Sequence, residues 1–473
     1  MKYIRLTLLC LGLLFAKAGQ SQIHYQPYSY EHYHRNMTQL YGDSITHTAV
    51  KPFVGSHIDP RHEIGARDSS RSWGYRKLFQ EHLVEVVKDD HTFYLDFMPD
   101  FILGAERGTN SKSLWTNTRG AQAGLSINKK FSLYVSFYEN QARYASFIDS
   151  TAQRIGNLPG QGFSKNLHSG KYDWMNATAN LTYQVSDALN LSVAYDKLHI
   201  GEGYRSVLVS DNPYNFTHAR VSVKVGRWQY NSIWAYMNDL RHPRVADAQD
   251  PFSERLGNGV KYGAFQYVDY LAGDKLSLGL FHSLIWAQNN QNAGGKANGG
   301  LGLNVKYRPW QKYILYAQGY ADEFSGNRMA FQLGGKTYDL FGLPNLNLTA
   351  EYNQAARDTY GHPNSRIDYT SNAEALAHPA GSNFKELLGI ATYRWNRWEL
   401  YGQSLYARYG TERSNLFYQE LRFSYVMNPK YNLRWELGLI DRRHKNIVTD
   451  AYQQATIFTF GLRSSFRTFH REY

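Results

Sequence analysis

Only one cysteine, Cys10, occurs in 473 residues, and it lies in the first dozen. That excludes a disulfide scaffold and any cysteine-built metal site in the rest of the chain. No long apolar run is present either. The stretch from Leu6 to Phe15 is far shorter than the roughly 20 residues a spanning helix needs. Basic residues outnumber acidic ones, 52 to 40, but they form no Lys/Arg cluster, so nothing points to a nucleic-acid partner. No catalytic motif rises above background. The Asp and Glu residues show no pairing that reads as general acid and base, so the sequence implies no enzyme and calls for no cofactor.

What is present begins with Lys2 and Arg5, the apolar run, and Ala16-Lys17-Ala18, the pattern of a secretory signal cut after Ala18. Losing Lys2, Arg5 and Lys17 would leave 49 basic against 40 acidic residues, a net +9. Cys10 would leave with the signal and lacks the small residues a lipoprotein site wants, so no lipid anchor is expected. Tyr 38, Phe 24 and Trp 10 make the chain 15% aromatic. Such residues suit the interfacial girdles of membrane barrels and the stacking platforms of sugar-binding surfaces alike.

The strongest pattern is period two. In 345–352, Leu346, Leu348, Ala350 and Tyr352 share one face, and Asn345, Asn347, Thr349 and Glu351 share the other. One face suits lipid and the other a polar lumen. The same alternation recurs at Leu189, Leu191, Val193 and Tyr195, and at Tyr431, Leu433, Trp435, Leu437 and Leu439 with Asn432, Arg434 and Glu436 inward. It predicts about eighteen strands, near 92–103, 114–127, 131–143, 173–186, 189–200, 216–225, 227–238, 260–271, 275–288, 300–308, 312–323, 329–338, 345–356, 384–395, 398–410, 416–427, 431–443 and 455–468. The last carries Phe458, Phe460, Leu462 and Phe466 on one face, although its polar tail His470-Arg471-Glu472-Tyr473 departs from an aromatic-terminated insertion signal.

The connections alternate in length. Asn128-Lys129-Lys130, Gly226-Arg227, Gly273-Asp274, Asn396-Arg397 and Asn428-Pro429-Lys430 are tight turns. Between them fall longer segments at 144–172, 201–215, 239–259, 289–299, 357–383 and 444–454. The expected fold is all-β: a transmembrane antiparallel barrel of about 18 strands in the outer membrane, surrounded by its lipid. Short turns and both termini would be periplasmic and the long loops external.

Three parts follow: a signal peptide at 1–18, an amino-terminal periplasmic helical segment at 19–91, and the barrel at 92–473. Within the second part, Tyr30, Tyr33, Met37, Leu40 and Tyr41 recur at helical spacing, with Gly42 as a stop. Tyr75, Phe79, Leu83 and Val86 or Val87 form a second helical candidate. A wide barrel cannot be filled by its own wall, so this segment should lie across or inside the periplasmic mouth. His32 and His34 lie near Glu31, but positions two apart on a helix diverge. They read as solvated helix residues and no metal site is expected.

Two local readings concern site residues. Matching the apolar faces of 114–127 and 131–143 sets Ile127 opposite Phe131, which brings Arg119 opposite Glu139 as an ion pair near the external rim. The segment 201–212 mixes glycine with both charges after a clear strand, the composition of a loop that folds inward. Its Tyr204, Arg205, Asp211 and Asn212 could stack on and hydrogen-bond an acidic glycan, or could lock the loop to the barrel wall.

His47-Thr-Ala-Val-Lys-Pro-Phe53, Asn117-Thr-Arg-Gly120, Glu139-Asn-Gln141 and Gly203-Tyr-Arg-Ser-Val-Leu-Val-Ser-Asp-Asn212 occur in order. Together they resemble the Wzi-like capsule-assembly outer-membrane family, and within it the Bacteroidota branch that includes the gliding-motility protein RemB. The resemblance implies an 18-stranded barrel with amino-terminal periplasmic helices. It also implies a non-enzymatic surface role with capsular polysaccharide or another exopolysaccharide as partner, or alternatively a structural part in a motility or secretion assembly with protein partners.

Overall fold

The computed structural model describes residues 27–41, 48–53, 68–128, 130–165, 169–241, 259–287, 297–323, 327–410 and 413–472. The signal segment, Gly42, and most of the connections 239–259 and 289–299 lie outside the described residues. Eighteen antiparallel strands close into one barrel. They run His91–Gly108, Lys112–Ile127, Phe131–Arg143, Tyr172–Gln184, Leu189–Asp196, Phe216–Val225, Trp228–Asp239, Gly259–Leu271, Leu276–Ala287, Asn298–Trp310, Tyr313–Asp322, Met329–Thr337, Leu346–Ala355, Phe384–Trp395, Trp398–Tyr409, Ser414–Asn428, Leu433–Asn446 and Tyr452–Arg463. Closure comes from the last strand pairing with the first, Leu462 opposite Phe101 and Ala455 opposite Gly108.

Side chains alternate across the wall as period two requires. On Leu346–Ala355, Asn347, Thr349, Glu351 and Asn353 are buried toward the lumen, and Leu348, Ala350 and Tyr352 face outward. The outward aromatics form a girdle beside the short turns, where Trp228, Trp310, Tyr313, Trp395 and Trp398 are exposed. A second group, Trp234, Tyr236, Tyr262 and Trp286, lies farther along the strands, with Tyr262 and Trp286 stacked at 5.7 Å. Rings at these levels suit a membrane interface, where one end is apolar and the other wet.

Several boundaries differ from the period-two reading for physical reasons. The strand expected over 189–200 leaves the wall after Asp196, and His199–Ile200 pairs inside the lumen with Val50–Lys51. The strand expected over 455–468 ends at Arg463. There the Asp100 carboxylate accepts the backbone N–H groups of Ser464 (2.7 Å) and Ser465 (3.3 Å) and the Ser465 hydroxyl (3.1 Å), turning the chain inward. Phe466 is therefore not a wall residue and packs edge-on against His32 at 5.2 Å.

Beside the first strand, the space next to Thr92–Leu95 is taken by a short strand, Val84–Val87. These valines, expected to continue a helix from Tyr75, pair as a strand because the helix Trp73–Phe79 stops at Gln80 and β-branched residues favour the free ladder. Tyr431 is buried rather than outward. A register shift between Val426 and Asn428 and a left-handed Asn432 (φ 56°) precede the start of regular pairing, and the Tyr431 hydroxyl donates to the Lys77 carbonyl at 3.1 Å.

The hydrophobic core lies in the lumen. One cluster joins Val50, Ile200, Val207, Leu208, Tyr360 and Tyr369 to inward wall residues such as Phe265 and Phe281. Another joins the helices Tyr30–Arg35 and Met37–Tyr41 to Tyr204, Leu388 and Tyr418. Met37, Leu40 and Tyr41 are buried to 4% exposure or less. Each such side chain contributes about 1.5–3 kcal/mol of transfer free energy, which an aqueous pore would forgo.

Candidate functional site

A barrel this wide leaves a channel unless other chain fills it. Here the filling segments are held by charged residues at inward strand positions. Glu202, on the inward loop, accepts hydrogen bonds from Lys306 at 3.0 Å, Lys336 at 3.1 Å and the Tyr41 hydroxyl at 2.5 Å, and Lys51 stands 4.0 Å away. Burial alone would raise the Glu202 carboxyl; Lys306, with Lys51 and Lys336, overrides it and holds the group well below the usual carboxylate range. Three ammonium groups around one carboxylate leave an excess of positive charge. Burial, only partly offset by Glu202, pushes Lys51 down to about 7.

The neighbouring turn of the loop is tied through a second carboxylate. Glu351 accepts the backbone N–H groups of Tyr204 and Arg205 and, at 2.8 Å, the Tyr316 hydroxyl. Arg205 donates to Glu386 at 3.2 Å, and Glu386 also meets His378 at 3.0 Å. The carboxyl-terminal tail closes the network: Glu472 accepts from the Tyr204 hydroxyl at 2.5 Å and from Gln403 at 2.6 Å, and His470 meets Asp211 at 3.2 Å.

At the short-turn end, Glu31 of the first helix lies 2.7 Å from Arg422 and 3.5 Å from Arg434. Burial would raise its carboxyl, but Arg422, Arg434 and Arg463 hold it well below the usual range. Arg35 pairs with Glu399 at 2.8 Å. The cavity remaining among these side chains is about 30 Å³, room for about two waters.

At the long-loop end, 356–383 packs down on 201–215. The hydroxyls of Tyr360 and Tyr369 donate to the carbonyls of Val207 and Leu208 at 2.7 and 2.9 Å. Glu374 accepts the backbone N–H groups of Gly160 and Tyr214.

The four residues singled out from sequence thus sit inside the barrel, each about 5% exposed or less: Tyr204 5%, Arg205 2%, Asp211 2% and Asn212 4%. Asn212 donates to the Ala375 carbonyl at 3.1 Å. Their geometry is that of a loop locked to its surroundings. Arg119 and Glu139 stand directly opposite in register and both are exposed on the outward face. No ion pair closes between them among the described residues. His32 and His34 are buried rather than solvated, His34 lying 3.0 Å from both Thr392 and Thr349. Lys306, Lys336 and Glu386 were not anticipated and Glu351 was read only as lumen-facing; the one sequence signal of all four is a charge at an inward position of an otherwise membrane-like strand.

The two histidines carry a pH prediction. Burial, reinforced by Arg35 and Arg394 for His32 and by Lys336 for His34, pushes both imidazoles down to about 3 from 6.5. A base with a lowered folded pKa takes its proton more readily when released. Its stabilising contribution is therefore complete above about pH 6.5 and is lost as pH falls from there toward 3. Limited proteolysis should cut the segment around Tyr30–Tyr41 faster at about pH 5 than at about pH 7.5. Equal cleavage at both would count against burial of these rings.

No protein-family model and no curated protein matches the chain. Among solved structures it is similar to Wzi of Escherichia coli, an outer-membrane protein involved in group 1 capsule assembly and a carbohydrate-binding β-barrel. The TM-score is 0.53 at 13% identity, covering 78% of this chain and 85% of that one. The fold is that of an outer-membrane β-barrel. OccAB4 of Acinetobacter baumannii aligns with a TM-score of 0.46 at 11% identity, over 80% of this chain and 98% of that one. OpdO of Pseudomonas aeruginosa gives 0.46 at 12% over the same shares.

Proposed function

We propose that this barrel is a non-enzymatic surface protein that retains capsular polysaccharide or another exopolysaccharide on its long-loop face, with the short turns in the periplasm. The observation that carries this reading is the occupied lumen. The two amino-terminal helices, the loops 201–215 and 356–383 and the carboxyl-terminal tail are buried against inward wall residues, so solute passage is disfavoured and contact with the outside falls to the loop surface. The helical segment within 19–91 serves as an internal plug, and Tyr204, Arg205, Asp211 and Asn212 support the loop surface from beneath.

That surface offers groups suited to an acidic glycan. Phe163 is 69% exposed, and Arg357 and Arg366 are exposed on the adjoining loop. Aromatic rings stack on sugar faces, and guanidinium groups pair with carboxylates. The likeness of fold to Wzi supports the same reading.

The test is binding of the full-length purified protein to its producer's own polysaccharide. Retention is expected, falling in Phe163→Ala with Arg366→Ala, both of which should fold normally. No retention by the unaltered protein, combined with recovery of a stable complex with other envelope proteins, would replace this reading with a structural role in a motility or secretion assembly.

A further inference from the structure

The outward face of the wall carries a feature that loop-surface glycan binding does not use. A groove of about 840 Å³ crosses the strands between Tyr313 and Asp441. Its floor is made of small outward residues in two adjacent rows. Gly335, Ala350, Gly389 and Ser404 follow one another in cross-strand register, and Ala391 is paired with Gly402 in the next row. Larger side chains flank it, Leu387 and Tyr406 on one side and Tyr393 and Leu400 on the other. A Cβ added to Gly389 or Gly402 would meet nothing within 4 Å, so the space above both is open.

A second, independent observation lies toward the long-loop end of the same two strands. Lys385 and Arg408 are directly opposite in register, both exposed and both outward. Like charges placed this way repel and destabilise a strand pair. Neither has a carboxylate within ion-pair distance among the described residues. Among the described residues Arg408 engages Tyr406, donating to its hydroxyl at 3.1 Å and lying 5.9 Å from its ring centroid. Each cation is four residues from the groove floor along its own strand, Lys385 from Gly389 and Arg408 from Ser404, or about 13 Å at the rise of a strand. A pair of cations with no carboxylate partner among the described residues stands above a trench floored by small residues, whose row ends in Gln419 and the Arg443-paired Asp441; on a surface that faces lipid, this is complementary to an amphiphile with an anionic head.

We propose that this face binds a membrane lipid with a net-anionic phosphorylated head group, drawn from the leaflet at the long-loop end. Its acyl chain lies in the trench over Gly389 and Gly402, and its phosphate bridges Lys385 and Arg408. Bridging removes the repulsion across the strand pair, and the chain fills space that would otherwise be poorly packed. The site is independent of the polysaccharide reading, since it uses no loop residue.

The experiment is native mass spectrometry of the full-length protein in detergent, titrated separately with lipid A, phosphatidylglycerol and zwitterionic phosphatidylcholine. Lipid A or phosphatidylglycerol should bind in preference to phosphatidylcholine. The Lys385→Ala, Arg408→Ala double variant should weaken the anionic lipids about tenfold or more and leave phosphatidylcholine unchanged. Gly389→Leu with Gly402→Leu, at positions where an added Cβ meets nothing within 4 Å, fills the trench and should lower binding of all three, with folding checked by the gel shift of heated against unheated protein. Equal affinity for anionic and zwitterionic lipids, indifference to the double alanine variant, or undiminished binding with the trench filled would each overturn the proposal. So would a cross-linked dimer of the unaltered protein that the leucine variants abolish, since a second copy would then be the occupant.

Discussion

Glu202→Gln should destabilise the folded barrel by about 3–5 kcal/mol and open its lumen to ions. The reason is the charge balance around that side chain. Lys306, Lys336 and Lys51 lie 3.0, 3.1 and 4.0 Å from the carboxylate, and all three are 5% exposed or less as side chains. Glutamine keeps the shape but removes the carboxylate that Lys306, Lys336 and Lys51 share, leaving Asp269, Glu351 and Asp211 as the acidic groups that still act on them. A buried pair broken on one side costs far more than the intact pair contributes, because the remaining charge is left desolvated. The Tyr41 hydroxyl loses its charged acceptor in the same step, which loosens the second helix of the plug.

Urea-induced loss of the heat-modifiable folded band measures the first effect, and single-channel recording in planar bilayers measures the second. A midpoint shifted by less than about 0.5 kcal/mol with a silent bilayer would show that the lysines find other partners. Adding Lys336→Met should recover part of the loss, since the two residues act as one unit.

Removing residues 464–473 should raise ion passage through the barrel while the wall still forms. The last strand ends at Arg463, and its pairing with the first is complete at Leu462 opposite Phe101, so truncation takes no ladder hydrogen bond from closure. It does remove inward anchors: the Ser464 and Ser465 bonds to Asp100, Arg467 at 3.5 Å from Asp100, His470 at 3.2 Å from Asp211, Arg471 at 3.7 Å from Glu420 and Glu472 at 3.8 Å from Arg205. Arg205 keeps Glu386, but Tyr204 and Gln403 lose their shared acceptor. Unitary current steps in the truncated protein are the expected result, with a normal folded band. A truncated barrel that folds and passes no more current than the intact protein would mean that the helices and loops seal the lumen without the tail.

The wall was legible because its information is local. Alternation at Leu346, Leu348 and Tyr352 names both faces from ten consecutive residues, and a tight turn such as Asn396-Arg397 sets the register of two strands. The opposition of Arg119 and Glu139 follows from parity alone, as the structure has it. Whether two such side chains touch depends on rotamer and solvent, which parity does not address. The helices were legible as Tyr30, Tyr33, Met37 and Leu40 at helical spacing. Val84–Val87 were misread because four β-branched and acidic residues suit either period until a free strand edge decides.

The ends of the interior segments were not legible for a different reason. Asp196 and Arg463 end their strands without a turn signal, because what diverts the chain is an attraction elsewhere, as Asp100 draws in Ser464 and Ser465. Tyr204, Arg205, Asp211 and Asn212 had the composition of a ligand site and of a lock equally. Their partners decide between these, and Glu386, His470 and Glu472 stand more than 180 positions away from Arg205, Asp211 and Tyr204 respectively.

By itself, then, the sequence determined an outer-membrane type of wall: strand number, inward and outward faces, and the alternation of short and long connections. Each of these depends on neighbours within a strand or a turn. Only the tertiary structure decided which segments pack into the lumen, which carboxylates hold them there, and where the last residues go. Those outcomes rest on Coulomb and hydrogen-bond partners such as Lys306 with Glu202 or Tyr30 with Thr349, separated by 104 and 319 positions. Over such distances no periodicity survives, and the choice of partner is made by the space the closed barrel leaves.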